Sequence, residues 1–199
     1  LSKYKKGAGY WSWKPLICDN LINQNLDKTY FYVDAGCTFN FNKNSKNRIY
    51  QYAEIVENTE EGILFMKNNY PEENVTSKKI INKLRETYNL KIDNNSNQLI
   101  ATFFCFRTTD FTIKLFGKLV EILNSDPEFF TDTFTEDNEL HRHDQSIISC
   151  VAKHYGVENI IDDETYPKDG QNFDSLRDYP FWATRNGISL KTWLKNFFF

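Results

Sequence analysis

The chain has 199 residues and a formal net charge of −3, with 40% hydrophobic and 26% charged residues. That is enough for one domain with a sizeable core, and the charge balance argues against a nucleic-acid partner, which calls for a basic excess. No apolar run is long enough to span a bilayer, and no signal peptide precedes Leu1.

The first thirteen residues are basic, then aromatic, and are loosened by Gly7 and Gly9. A helix is expected from Pro15, which suits a first helical position, fading near Asn25. A strand at 29–33 follows, then a polar loop at 40–47 and a helix at 48–57. Gly62 opens a strand over Ile63–Met66. Thr76 and Ser77 are placed to cap a helix running to Tyr88. The Asp and Asn residues at 93–97 mark a turn, and Leu99–Phe106 reads as a second clear strand. Thr109 caps a helix at 110–123. The acidic, aromatic stretch 125–139 reads as a loop beside a site. Ile147, Ile148, Val151, Ala152 and Tyr155 stripe a helix that starts at Asp144 and ends at Gly156. A short strand is expected at 157–161, and the tail from 162 carries few signals. Strands alternating with helices predict one α/β domain over 1–199 with a mixed sheet. Cys18, Cys37, Cys105 and Cys150 match no metal or redox spacing. They read as free thiols of a reducing, cytoplasmic compartment, the alternative being two disulfides.

Four constellations carry chemistry. In Gly7-Ala8-Gly9-Tyr10-Trp11-Ser12-Trp13-Lys14-Pro15 an aromatic segment runs into a helix start, which attracts anions, and Lys14 adds a full positive charge there. It is either a phosphate clamp with an aromatic wall or a hydrophobic staple beside a solvated lysine. The run Tyr30-Phe31-Tyr32-Val33 ends on Asp34-Ala35-Gly36-Cys37. A carboxylate at the end of a buried strand faces the crevice where α/β folds bind ligands, and hard cations take such oxygen ligands. The alternative is an acid that caps a turn. His141-Arg142-His143-Asp144-Gln145-Ser146 gathers ligand and base chemistry at a helix start, though Asp144 would also serve as a plain N-cap. His154, at the far end of that helix, reads as structural. Arg185, in Pro180-Phe181-Trp182-Ala183-Thr184-Arg185-Asn186, could grip a phosphate in bidentate fashion or lie on the surface beside an aromatic pair.

In this order, the Gly-x-Gly-Tyr-Trp-x-Trp-Lys-Pro, Asp-Ala-Gly-Cys, His-Arg-His-Asp-Gln-Ser-Ile and Ala-Thr-Arg-Asn motifs resemble glycosyltransferase-like proteins of microbial and viral surface-polysaccharide gene sets, from Gly7 to about Asn186. The resemblance implies a GT-A type, Rossmann-related nucleotide-sugar fold. Its opening strand and loop, which hold the nucleobase, have no counterpart before Gly7. It also implies transfer of a sugar from a nucleoside diphosphate to a glycan or other hydroxyl acceptor, usually with Mn²⁺ or Mg²⁺. Asp34 stands at the Asp-x-Asp metal motif, but Gly36 replaces the second acid, so a metal there would recruit His141 or His143. Asp144 and Gln145 match a catalytic Asp-Gln pair near the reacting sugar. Lys14, Tyr10, Trp11, Trp13 and Arg185 are the expected donor-binding residues. Two other functions compete with transfer: a non-catalytic carbohydrate- or nucleotide-binding module, and a metal-dependent hydrolase built on His141, His143 and Asp144.

Overall fold

The computed structural model describes residues 6–24, 26–168, 170 and 172–185. The start of the basic segment (residues 1–5), Asn25 and Asn186 lie outside the described residues. The architecture is α/β: a four-stranded mixed sheet, ordered β1-β4-β3-β5, is flanked by helices. Its strands are β1 (Tyr30–Val33), β3 (Ile63–Pro71), β4 (Asn97–Phe106) and β5 (Ile160–Asp162). β4 runs antiparallel to both β1 and β3, while β5 lies parallel to β3. The carboxyl ends of β1, β3 and β5 therefore share one edge with the amino end of β4.

β4 is buried along nearly its whole length, which is why it reads as one continuous apolar run rather than an alternation. Its side chains divide between two cores. With the short turn Gly7–Tyr10 as α1, Leu99, Ala101, Phe104 and Phe106 face α2 (Trp13–Asn23), α6 (Asp110–Ser125) and α7 (Asp144–His154). Ile100, Phe103 and Cys105 face α3 (Lys43–Glu57) with Tyr52 and Val56. The alternation slips between Ala101 and Phe103. There the pairing moves from Phe65↔Phe104 to Lys67↔Leu99, so β4 advances three residues more than β3. This bulge frees the backbone groups of Ala101 from β3, and strand bulges often sit beside functional sites.

Several boundaries differ from expectation for local physical reasons. α2 begins at Trp13, so Pro15 sits inside the first turn, where no amide is needed. α3 begins at Lys43 because the Asn42 side chain accepts the Ser45 amide at 2.9 Å; part of the expected polar loop is thus helical. β3 runs on to Pro71, held by pairing with the start of β4. The turn α4 (Glu72–Val75) precedes α5 (Lys78–Tyr88). The expected caps of α5 do other work: the Ser77 hydroxyl donates to Phe134 O and the Thr76 hydroxyl to Glu72 Oε1. Thr109 caps α6 as expected, within a reciprocal box with Thr112. Gly156, at φ +79°, follows the end of α7. β2 (Thr38–Phe39) and β6 (Phe181–Trp182) form a second, two-stranded sheet. Each is too short to give a sequence signal. The four cysteines are unpaired thiols, Cys37 half-buried and the other three buried. Among the described residues no helix is long and apolar enough to cross a membrane.

Candidate active site

Gly7–Trp11 form a single left-handed turn: Gly7, Ala8, Gly9, Tyr10 and Trp11 all have φ between 51° and 100°. Gly7 is required there, because a Cβ would stand 2.4 Å from the Trp11 ring. The Ser12 hydroxyl ties the turn down by donating to Gly9 O at 2.6 Å. The chain then enters α2 with Lys14 aimed inward, and Lys14 is only 3% exposed. Of the two readings of this segment, the one with a solvated lysine is corrected by this burial.

Lys14 Nζ lies 2.9 Å from Asp34 Oδ1 and 2.7 Å from Asp144 Oδ2, and it donates to Ala101 O at 3.0 Å. The ammonium thus sits in ion-pair contact with two carboxylates and donates to a carbonyl that the β4 bulge releases. It also stands 5.1 Å from the centre of the Tyr32 ring. The Tyr32 hydroxyl donates to Asp34 Oδ1 at 2.9 Å, and the Asp34 amide donates to Thr102 O at 2.9 Å. Asp34 is thereby fixed at the carboxyl end of β1, with its side chain 29% exposed. Ala35 and Gly36 beyond it are exposed.

Asp144 is the first residue of α7 rather than its cap. The cap position belongs to His143, whose backbone is left-handed at φ +49°. The Lys14–Asp144 contact is close but lacks hydrogen-bond alignment at Oδ2. Burial is the main force on Asp144. It raises the carboxyl from 3.8 to about 6, helped by the Asp34 charge and opposed by Lys14.

Gln145 Oε1 accepts from Ala101 N at 3.2 Å, and its Nε2 donates to Gln98 Oε1 at 2.5 Å. Gln98 Nε2 donates onward to Glu72 Oε1 at 2.9 Å. Glu72, fully buried, accepts from Ser149 Oγ at 2.5 Å and Lys153 Nζ at 2.7 Å. A polar chain therefore runs beneath the site from α7 to β4 and α4. Gln145 holds the bulge in shape, while Lys14 and Asp34 bond its carbonyls. Such a network is stiff when every member is satisfied.

The histidines lie to one side. Their rings are 5.5 Å apart, but each has its own partner. His141 Nε2 lies 2.9 Å from Phe129 O, while its buried Nδ1 has no partner; burial lowers its pKa to about 4. His143 Nε2 donates to Asp132 Oδ1 at 2.8 Å, and its ring packs against Tyr10 at 4.8 Å and Trp11 at 6.0 Å. Trp13 instead faces Tyr32, 6.4 Å away. The loop after α6 supplies Phe129 and Asp132, so it packs against the histidines as its position in the chain suggests. His154 accepts the Lys91 amide at Nδ1, 3.0 Å away, and burial lowers its pKa. Its role is structural, but as a neutral acceptor rather than a cation at a helix end.

Arg185, at φ +51°, is anchored by its amide to Gly36 O at 3.2 Å. The four constellations, spread over more than 170 residues of sequence, therefore meet around β1's carboxyl end.

A divalent cation on Asp34 fits this donor set poorly. The space between Asp34 and Asp144 holds the Lys14 ammonium, and both histidine Nε2 atoms face other partners. Among the described residues no three His, Cys, Asp or Glu side chains gather as a metal set. A depression of about 130 Å³ at the other end of β1 and β4, lined by Leu26, Asp27, Lys28, Arg107 and Thr108, is remote from these groups.

Sequence reasoning missed Tyr32, Gln98, Glu72 and Asp132. Gln98 offered a signal, since a polar residue leading into a buried run needs a partner. Glu72 offered none beyond its place in a turn. Compared with protein-family models, with curated proteins and with solved structures, the chain matches none of them.

Proposed function

We propose that the chain moves a glycosyl group from a nucleoside-diphosphate sugar to an acceptor hydroxyl, on a GT-A-like frame. The observation that carries this reading is the meeting of Lys14, Asp34 and Asp144 within 3 Å contacts at the carboxyl edge of the sheet. Three of the four motifs that resemble glycosyltransferase-like proteins contribute one charged group each, and the fourth is anchored to Gly36 by Arg185.

In the proposed reaction the acceptor oxygen bonds to the anomeric carbon. The bond from that carbon to the diphosphate breaks, and its electron pair leaves with the phosphate. The acceptor's proton passes to a carboxylate. Asp144, raised to about 6, is ionised at neutral pH yet basic enough for that proton. Asp34, the more exposed carboxylate, orients the sugar hydroxyls. Lys14 fixes both acids and keeps two like charges close together. Gln145 is a positioning residue, since both ends of its amide are held within the fold. Tyr10, Trp11 and Trp13 supply aromatic faces for the nucleobase or a sugar ring. Free thiols suit a reducing, cytoplasmic compartment.

The test is release of nucleoside diphosphate from a panel of nucleotide sugars with simple glycan acceptors, in Mn²⁺ or in EDTA. Wild type should release product, and Asp34→Asn should lose turnover while its unfolding temperature changes little. Donor binding without release under every condition would favour a binding module instead. Full activity in Asp34→Asn would refute the role given to that carboxylate.

A further inference from the structure

Arg142 is half-buried, yet among the described residues its guanidinium forms no hydrogen bond or ion pair; its one neighbour of note is the Tyr70 ring, 5.3 Å from Cζ. A ring contact consumes none of the five N–H donors. Arg142's place is nevertheless fixed, since its amide donates to Ser146 Oγ at 3.1 Å and to Val75 O at 3.2 Å. Arg185 is exposed, with its backbone pinned to Gly36 and its guanidinium likewise without an acceptor among the described residues. The two cations lie in each other's field: burial and then Arg185 lower the pKa of Arg142. Asp163 is the carboxylate near both, but it spends Oδ1 on the amide and hydroxyl of Thr165, each at 2.7 Å, and pairs with neither arginine. A buried cation left without an acceptor is costly, and a second cation beside it adds to the cost. An anion between them would remove both penalties.

We propose that Arg142 and Arg185 form a metal-independent site for the diphosphate of the donor, an extension that rests on the glycosyl-transfer reading. Each guanidinium presents a planar fork that matches two phosphate oxygens. The site flanks the carboxylates: Arg142 is two residues before Asp144, and Arg185 is bonded to the Asp34-Ala35-Gly36 turn. Negative charge grows on the diphosphate as its bond to the sugar breaks, and two fixed cations would stabilise it there. Lys14 already neutralises Asp34, so the arginines take the part that a divalent ion on Asp34 would otherwise play.

The probe is inorganic pyrophosphate, with binding measured by calorimetry on the whole chain in EDTA. Wild type should bind. Arg142→Gln and Arg185→Gln should each weaken binding about tenfold or more, the usual scale for a lost charge-assisted bond. Arg185 is exposed, so its variant reads out binding even if Arg142→Gln folds poorly; Arg142→Lys, which keeps the charge but loses the fork, should fall between wild type and Gln. Binding that needs Mn²⁺ or Mg²⁺, binding unchanged in both Gln variants, or no pyrophosphate binding at all would overturn the site. Pyrophosphate binding with these losses, but without any sugar transfer, would support the anion site and overturn the transfer reading.

Discussion

Replacing Asp144 with Asn should remove activity and raise stability together. Asp144 is 4% exposed, and its pKa rises from 3.8 to about 6 on folding. An acid raised in this way binds its proton more tightly in the native chain than in the unfolded one. Between pH about 4 and 6 the native state keeps a proton that the unfolded state has released. Stability therefore falls as pH climbs through that window and stays level above it. At about 1.4 kcal/mol for each tenfold step, the charged side chain lowers stability by about 3 kcal/mol at neutral pH. Asn keeps the shape and carries no charge, so Asp144→Asn should be more stable by up to about 3 kcal/mol at pH 7.5, or roughly 6–12 °C in unfolding temperature for a chain of this size. The gap should close as pH falls towards 4. Thermal unfolding of both proteins from pH 4 to pH 8 measures this directly. A variant less stable than wild type by 1 kcal/mol or more, with a gap independent of pH, would refute the reasoning: Lys14's attraction would then outweigh burial. The same variant should lose sugar transfer, the usual tension between stability and a working site.

Removing the ammonium should do the reverse. Lys14→Met strands Asp144 beside Asp34 and should cost about 3 kcal/mol or more at pH 7.5, with a smaller loss at pH 5, where Asp144 takes up a proton. Urea midpoints at the two values check it, and a loss below 1 kcal/mol at pH 7.5 would count against the triad. Gly36→Ala probes the open side of the site. A Cβ there would meet only the Arg185 Cα, at 3.9 Å, and the backbone of Gly36 is not left-handed. The fold should therefore tolerate the methyl within about 0.5 kcal/mol, while donor affinity falls if the substrate lies against this turn. Unchanged affinity would place the ligand elsewhere.

The sequence by itself determined the element types and the residues worth watching. The stripe Ile147–Tyr155, the run ending at Phe106 and the Thr109 cap are local patterns, and local patterns fix helices, strands and caps wherever tertiary contacts agree with them. Asp34, Lys14 and Asp144 stood out for local reasons too: a strand's carboxyl end, a helix start after an aromatic segment, and a cluster of histidines and an amide at a helix start. What only the tertiary structure decided is which of these charges meet. The bulge in β4 turns on pairing between β3 and β4 across more than thirty residues, and it is the bulge that frees Ala101 O for Lys14, while Thr102 O takes the Asp34 amide by continuing the β1–β4 ladder. Little in the run 97–106 marks the bulge beyond Thr102, because both faces of that strand are otherwise apolar from Leu99 on. Glu72, Gln98 and Lys153 are unremarkable one at a time and become a buried network only when α4, β4 and α7 pack. The sequence suggested a metal at Asp34 because a carboxylate at a strand's carboxyl end faces the ligand crevice and suits a hard cation. What packing places beside that carboxylate is the ammonium of Lys14, twenty residues earlier, a contact that no local pattern in the sequence reveals.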